Sequence, residues 1–344
     1  MKSIDVVVPC YNYGKYLACC VSSVLDQEEV SVRVLIIDDA SSDDTAEIAE
    51  GLAAKDSRIA FRRHSVNCGN IATYNEGIAW ANADYFMILS ADDWLVPGAL
   101  ARAVTVFEQC PDVIFVHGRA ALARNGEAAP VIPFQSRRVP YHVETGQAFI
   151  EAACRDSSQN HVWTPTAILR TSVQKEVGGY CKDLPHAGDL HLWLRVACRG
   201  AIGKIEAIQA VYRTHASNMH YSYPKLKNLK QHLLAFETVF HEYGERIADR
   251  ERLRREYQRG LAMEALRLAQ HELIENLPDS THECISFALE VCSDIRKTLQ
   301  WWQFQMLSLM GQRTASTIKA LLLPSLRAMR QGRKVCRILV SAPD

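Results

Sequence analysis

Residues 85–94 read Tyr85-Phe86-Met87-Ile88-Leu89-Ser90-Ala91-Asp92-Asp93-Trp94. Five apolar residues, two of them aromatic, run to strand length and then stop in two adjacent carboxylates. A short apolar run bounded by turn residues fits a strand buried on both faces. In an open α/β sheet, ligands collect beyond the carboxyl ends of the strands. Two Asp side chains there suit a hard divalent cation, which would neutralise a diphosphate leaving group. The plainer alternative is a solvated Asp-Asp turn with Trp94 packed beneath it.

Working outward, residues 4–8 read as a buried strand ended by Pro9, and 16–25 carry helical apolar spacing. A second apolar strand, 32–37, ends in Asp38-Asp39. Ser41 and Ser42 are N-cap candidates for a helix over 45–54, with Asp43 and Asp44 in its first turn. A short strand over 59–63, a helix over 71–82, the strand of residues 85–89, a helix over 98–110 and a strand over 113–117 follow. Residues 128–141 are rich in Pro and polar groups and read as a loop. Strands over 166–170 and 205–213 flank a helix over 190–199. This alternation predicts an α/β fold with right-handed crossovers and a mostly parallel sheet flanked by helices. Beyond Pro224 the character turns helical: 225–277, a break at Pro278-Asp279-Ser280, then 284–310 and 318–329. The expected division is a domain over 1–223, in halves 1–119 and 120–223, and an α-helical C-terminal region over 224–344.

At 344 residues, 48% apolar and 23% charged, the composition is that of an ordinary globular protein. Net charge is zero, so no nucleic-acid partner is expected. The distribution is uneven. Between Asp294 and Asp344 there is no acid, while Arg296, Lys297, Arg313, Lys319, Arg327, Arg330, Arg333, Lys334 and Arg337 fall there. Next to this stretch, Trp301-Trp302-x-Phe304-x-Met306-Leu307 would suit a helix lying on an anionic membrane. It would equally suit a helix packing its aromatics on the rest of the chain or on a second copy in a homo-oligomer. Eleven cysteines without a CxxC pair argue against a disulfide scaffold or zinc site. No run reaches the length of a spanning helix, and a strand beginning near Ile4 leaves no room for a signal peptide. The expected location is cytoplasmic, with peripheral attachment at the inner face of the plasma membrane if the tail binds lipid.

Three strand ends thus carry polar groups at one sheet edge: Pro9-Cys10-Tyr11-Asn12, Asp38-Asp39 and Ser90-Ala91-Asp92-Asp93. No GxGxxG and no Walker loop follows the first strand, so a phosphate cradle of backbone amides is missing. Four pieces in this order and spacing resemble the nucleotide-binding half of a family 2 glycosyltransferase with the GT-A fold. They are Val8-Pro9-Cys10-Tyr11-Asn12, Ile37-Asp38-Asp39-Ala40-Ser41-Ser42-Asp43-Asp44-Thr45, Asn67-x-Gly69 with Asn75-x-Gly77, and Leu89-x-x-Asp92-Asp93. Val177-Gly178-Gly179-Tyr180, Gly188-Asp189-Leu190-x-Leu192-Trp193-Leu194-Arg195 and Tyr212-Arg213-x-His215-x-x-Asn218 resemble the family's acceptor-side and closing motifs. The resemblance covers about residues 4–220.

It implies an inverting transfer of a sugar from a nucleotide-diphosphate donor, a UDP-sugar, to a hydroxyl of a glycan or lipid-linked glycan. Asp39 would accept a hydrogen bond from the base, with Asp38 the near-equivalent alternative. Pro9, Tyr11 and Asn12 would line base and ribose, and Asn67, Gly69 and Asn75 the pocket floor, unless Asn75 serves the loop backbone. Asp92 would be the principal ligand of Mn²⁺ or Mg²⁺, with Asp93 assisting beside Ser90 and Ala91. His215 is either a further ligand or structural. Ser90 stands where a common pattern has an acid, so metal binding leans on Asp92. Asp189 would be the base that deprotonates the acceptor; its alternative is a helix N-cap. The family often has an acid before it, where this chain has Gly188. Trp163 and Trp193 could stack on sugar, core packing being the stronger reading for Trp193. Two other functions compete: a nucleotidyltransferase, and a sugar-nucleotide-binding scaffold without catalysis.

Overall fold

A computed structural model describes residues 1–124, 130–132, 135–216, 218 and 223–309. The expected third helical block, over 318–329, and the basic residues from Arg313 onward lie outside the described residues. The chain divides into two compact units, residues 1–257 and residues 258 onward.

The first unit is built on one sheet. Strands β1 (Ser3–Cys10), β2 (Ser31–Asp38), β3 (Ile59–Arg63) and β4 (Tyr85–Ile88) lie in the order β3-β2-β1-β4 and pair in parallel. Helices α1 (Gly14–Leu25), α2 (Thr45–Lys55) and α3 (Asn70–Trp80) connect them. The central apolar runs are fully buried, as strands covered on both faces must be. Beyond β4 the parallel pattern gives way to a mixed one. After the two-residue β5 (Trp94–Leu95) and helix α4 (Ala99–Gln109) come β6 (Val113–Arg124), β7 (Tyr141–Glu144) and helix α5 (Gly146–Arg155). Strand β8 (Ile168–Arg170) runs antiparallel between β4 and β6, and helices α6 (Thr171–Val177) and α7 (Gly188–Ala197) lead to β9 (Ala201–Thr214). Strand β9 pairs in parallel with β6 and antiparallel with β5 and β7.

Several boundaries differ from the sequence expectation, each for a local reason. Pro9 lies inside β1, opposite Ile37. Val7 O accepts from Leu89 N and Cys10 O from Asp39 N, so Pro9 faces the β4 side, where pairing has ended at Ile88. Its missing N–H therefore costs no ladder bond. Strand β6 outruns the expected 113–117 because register shifts at Gly118, Arg119 and Ala120 break the apolar alternation without ending the pairing. The cap of α2 is also different. Asp43 accepts from the backbone N–H (3.1 Å) and the hydroxyl (2.5 Å) of Thr45, while Ser41 and Ser42 bond the turn at Asn12.

Helix α8 (Lys225–Glu242) belongs to the first unit, which thus runs past Pro224. The expected continuous helix over 225–277 is interrupted by a 3₁₀ turn at Gly244–Arg246 and a left-handed Asp249 before α9 (Arg250–Ile274). Pro278 opens the next helix, α10 (Pro278–Val291), because proline's fixed φ and absent N–H suit the first helical turn. Helix α11 (Leu299–Leu309) ends the described chain. No helix among the described residues is long and apolar enough to cross a membrane, and the described cysteines form no disulfide.

Asp5 ties the start of the sheet together. Buried on β1, it accepts from Arg33 Nε and Nη2 (both 2.8 Å) and from the backbone N–H groups of Asn82 (2.7 Å) and Ala83 (2.9 Å). Asp5→Ala leaves two amides without partners just before β4, a loss of about 3 kcal/mol. Urea unfolding should show a lower midpoint with an unchanged slope.

Candidate active site

The carboxyl ends of β1, β2, β3 and β4 share one edge of the sheet, and the two acids closing β2 have different duties there. Asp38 is buried; its Oδ1 accepts from Ser41 N (2.9 Å) and its Oδ2 lies 3.1 Å from Arg63 Nε at the end of β3. Asp39 turns toward the loop before α3. Its Oδ1 accepts from Cys68 N (2.7 Å) and faces His64 Nδ1 (2.7 Å), and its Oδ2 accepts from Gly69 N (2.9 Å). Gly69 has φ of 84°, a conformation open to glycine, which turns its N–H onto the carboxylate. Asn67 accepts from the same N–H at 3.1 Å, so it shapes this turn. Asn12, itself left-handed at φ 58°, donates from its N to Ser41 Oγ and accepts at Oδ1 from Ser42 N. It braces the β1 turn against the β2 turn, leaving Tyr11 about half exposed on the rim.

The two acids after β4 also separate. Asp93 is 2% exposed and turned inward, its Oδ1 accepting from Arg213 N (2.8 Å). Its N–H closes the turn onto Ser90 O (3.0 Å), over buried Ala91. Asp92 meets the closing motif: its Oδ2 lies 3.0 Å from His215 Nε2 and accepts from Asn218 Nδ2 (3.2 Å). Burial raises the pKa of both acids; His215 opposes the shift at Asp92, whereas Asp92's own charge adds to it at Asp93. Arg213 lies with its guanidinium 4.6 Å from the ring centres of both Tyr16 and Trp94 and donates to Asp92 O (2.9 Å). His215 stacks on Tyr16 and meets Tyr13 edge-on.

Asp189 lies in the first turn of α7, whose cap position is Ala187. It is therefore not the N-cap. Its Oδ1 accepts from Tyr180 Oη (2.9 Å) and its Oδ2 from Thr164 Oγ1 (2.7 Å). Burial raises its pKa and the two hydroxyl donors pull it back. Asn75 is held by Tyr180's main chain: its Oδ1 accepts from Tyr180 N (2.7 Å) and its Nδ2 donates to Tyr180 O (3.0 Å). The loop-backbone alternative for Asn75 is the one the structure displays. Trp193 is 2% exposed and stacked on Phe115, whereas Trp163, beside Thr164, is 40% exposed.

Sequence reading gave no role to His64, Glu76 or Thr164, and quoted Tyr180 within a motif without giving it one. His64 directly follows the end of β3, so strand-end position was the available signal. Ligand atoms of Asp39, His64 and Cys68 lie within 4.8 Å of one another. A set containing thiolate and imidazole suits zinc more than Mn²⁺ or Mg²⁺. Asp39 with His64 and Asp92 with His215 are each joined by a hydrogen bond that a cation between them would have to displace. The second pair, an oxygen and an imidazole with no thiol, is of the donor types that Mn²⁺ accepts.

His64 Nε2 also lies 2.8 Å from Glu76 Oε2. A neutral imidazole has one N–H, and two ionised carboxylates can only accept, so His64 bridges them as imidazolium. Its pKa is raised by Asp39 first and Glu76 second. The resulting stability is complete below the ordinary histidine value and lost as pH rises through the raised one. The advantage of the native chain over His64→Ala in urea unfolding should therefore shrink from pH 6 to pH 9. An advantage independent of pH would refute the charged bridge.

With this geometry in hand, known proteins supply the context. The chain is 24% identical over 273 residues to the uncharacterised glycosyltransferase YibD of Escherichia coli (strain K12), covering 78% of each. It spans 63%, 30% and 66% of the length of three further curated relatives. Among solved structures, S. aureus TarS 1-349 in complex with UDP-GlcNAc aligns at TM-score 0.55 and 16% identity, over 83% of this chain and 91% of that one. Mannosyltransferase PcManGT from Pyrobaculum calidifontis, in complex with GDP-Man and Mn²⁺, aligns at TM-score 0.56 and 14% identity, over 93% and 84%. These two likenesses concern the fold, the GT-A arrangement of sheet and flanking helices. The sequence pattern of Glycosyl transferase family 2 matches residues 5–178, half of the chain, and the protein belongs to that family.

Proposed function

We propose that the chain is an inverting glycosyltransferase that moves a hexosyl or acetamidohexosyl group from a UDP-sugar to a hydroxyl of a glycan or lipid-linked glycan. The observation that carries this reading is Asp189, a carboxylate at a helix start held by two hydroxyls, one of them from Tyr180, whose main chain Asn75 of α3 holds. Desolvation first, then the charges of Asp189 and Asp92, push the Tyr74 phenol up. Structures of the same fold bound to UDP-GlcNAc and to GDP-Man with Mn²⁺ support a nucleotide-sugar donor. Residues 1–119 would hold the donor and 120–223 the acceptor.

Asp92 and His215 would hold Mn²⁺ or Mg²⁺, since a carboxylate and an imidazole nitrogen 3.0 Å apart form a fitting donor pair. The bound cation would supply positive charge to the departing diphosphate. Asp39 keeps lone pairs free for a base N–H, because its present partners occupy only part of a carboxylate's acceptor capacity. Asp189 takes the acceptor's hydroxyl proton. The freed oxygen pair forms the new bond to the anomeric carbon as the bond to the diphosphate oxygen breaks, and the nucleoside diphosphate leaves with that pair. One displacement inverts the carbon. Burial lifts Asp189 toward neutrality, where a carboxylate is a better base. Activity should fall as pH drops through that raised value, because the base must be ionised.

Asp189→Asn should lower transfer about a thousandfold, within the range for losing a general base, while Mn²⁺-dependent UDP binding persists. Asp92→Ala should weaken both. Calorimetry with UDP and Mn²⁺, together with UDP release from a panel of UDP-sugars, reads the pair; near-normal turnover in Asp189→Asn would sink the assignment. Pyrophosphate release from a nucleoside triphosphate would favour the nucleotidyltransferase. Donor binding without hydrolysis or transfer would favour the scaffold.

A second observation bears on location. Leu299, Trp302, Met306 and Leu309 are exposed at helical spacing along α11, which has no charged residue. The sequence following it is basic and without acid until Asp344. We therefore read the C-terminal region as a peripheral contact with anionic lipid at the inner membrane face. The full chain should float with anionic liposomes, and Trp302→Glu with Met306→Glu should abolish flotation; equal recovery would end this reading.

A further inference from the structure

We propose that Tyr180 is a positioning residue for the base: its phenol, clamped through its main chain by Asn75, fixes and keeps ionised the carboxylate of Asp189. This rests on the reading of Asp189 as the base. The clamp spans the site. Asn75, on α3, makes a two-point contact with Tyr180 N and O, at 2.7 and 3.0 Å. From the other side Arg195, on α7, donates to Val177 O (2.6 Å) and Gly179 O (2.5 Å). The segment 177–180 is thus gripped from two helices, and its phenol ends 2.9 Å from Asp189 Oδ1.

Gly188 makes room for the arrangement. A Cβ there would lie 2.9 Å from Tyr180 Cδ1, so the ring sits where a side chain would stand. The family often carries an acid at that position. In this chain a neutral phenol lies against the helix start instead, and a hydrogen-bond donor takes the place of a competing charge. Tyr180 is itself buried, packed edge-on against Tyr74 at 5.1 Å. A buried phenol beside a carboxylate stays protonated and can only donate to it.

The groups facing Asp189 are few. They are Tyr180, Thr164 and, from α3, Tyr74, which titrates above neutrality. Arg195 bears on the far side of Tyr180. From α8 the contact at the start of α7 is neutral: Gln231 Oε1 accepts from His186 N and Ala187 N. Among the described residues none of these facing groups changes charge near neutral pH, so a titration of Asp189 reports its hydrogen bonds.

The same α3 serves Asp39 and the Tyr180 clamp. Its N-terminal turn presents Gly69 N to Asp39, and its sixth residue holds Tyr180.

The test is a ¹³C-carboxyl NMR titration of the full chain, with the Asp189 resonance identified by its loss in Asp189→Asn. A donated hydrogen bond favours the ionised form, so Tyr180→Phe should move the Asp189 midpoint to higher pH. Asn75→Ala, which keeps the phenol but frees its backbone, should move it the same way and less. Incorporating 3-fluorotyrosine, a more acidic and nearly isosteric donor, should move it to lower pH without a substitution that risks folding. An unmoved midpoint in folded Tyr180→Phe, or in the fluorotyrosine protein, would overturn the proposal. Failure of the underlying reading looks different: Asp189→Asn would retain transfer while the midpoint shifts stood.

Discussion

Taking a carboxylate out of water costs several kcal/mol unless donors replace the lost hydration, and this chain gathers six such acids around one sheet edge and its base. How completely each is compensated sorts them by duty. Asp5 receives four donated bonds and serves the sheet. Asp38 is met by an amide and a guanidinium, and Asp39 by two amides and an imidazolium. Asp93 is left with the amide of Arg213, and its pKa rises well above the ordinary carboxylate range. Asp92 is met by an imidazole and an amide, and Asp189 by two neutral hydroxyls. The two acids that the proposed reaction uses, Asp92 and Asp189, are the ones with no guanidinium and no backbone amide on their carboxylates in these contacts.

The donor edge was legible because burial and strand length are written in the apolar runs. Residues 32–37 and 85–89 can only be buried strands, and what ends them must face the crevice. Asp39, Asp92 and Asp189 followed from position and from the family pattern. The rest depended on contacts between residues far apart in the chain. Asn75 meets Tyr180 across 105 residues, and Asp92 meets His215 across 123. Nothing local distinguishes an asparagine that touches ligand from one that holds a backbone. Strands of the mixed half were read at 113–117, 166–170 and 205–213, but their antiparallel pairings rest on distant contacts, and β5, with two residues, is too short for any periodicity.

Asp38-Asp39 and Asp92-Asp93 look alike as dipeptides, yet each splits into one inward and one outward acid. At Asp38-Asp39 the end of β2 falls between the two residues, and at Asp92-Asp93 the turn that Asp93 N closes onto Ser90 O sends them apart. The inward members, Asp38 and Asp93, take their partners from neighbouring strands or from the loops that close them. The outward members inherit the crevice.

The two-residue strand β5 has a consequence for ligand capture. It follows Asp93 at once and pairs Trp94 with Val211 and Leu95 with Ala210. Asp92 is thereby fastened between two strands, and His215 stands one residue past the end of β9. Carboxylate and imidazole are fixed by the same ladder, so their spacing is set before any ligand arrives. A cation meeting them need not freeze a loop, and the entropy that an unformed site would forfeit on binding has already been surrendered in folding.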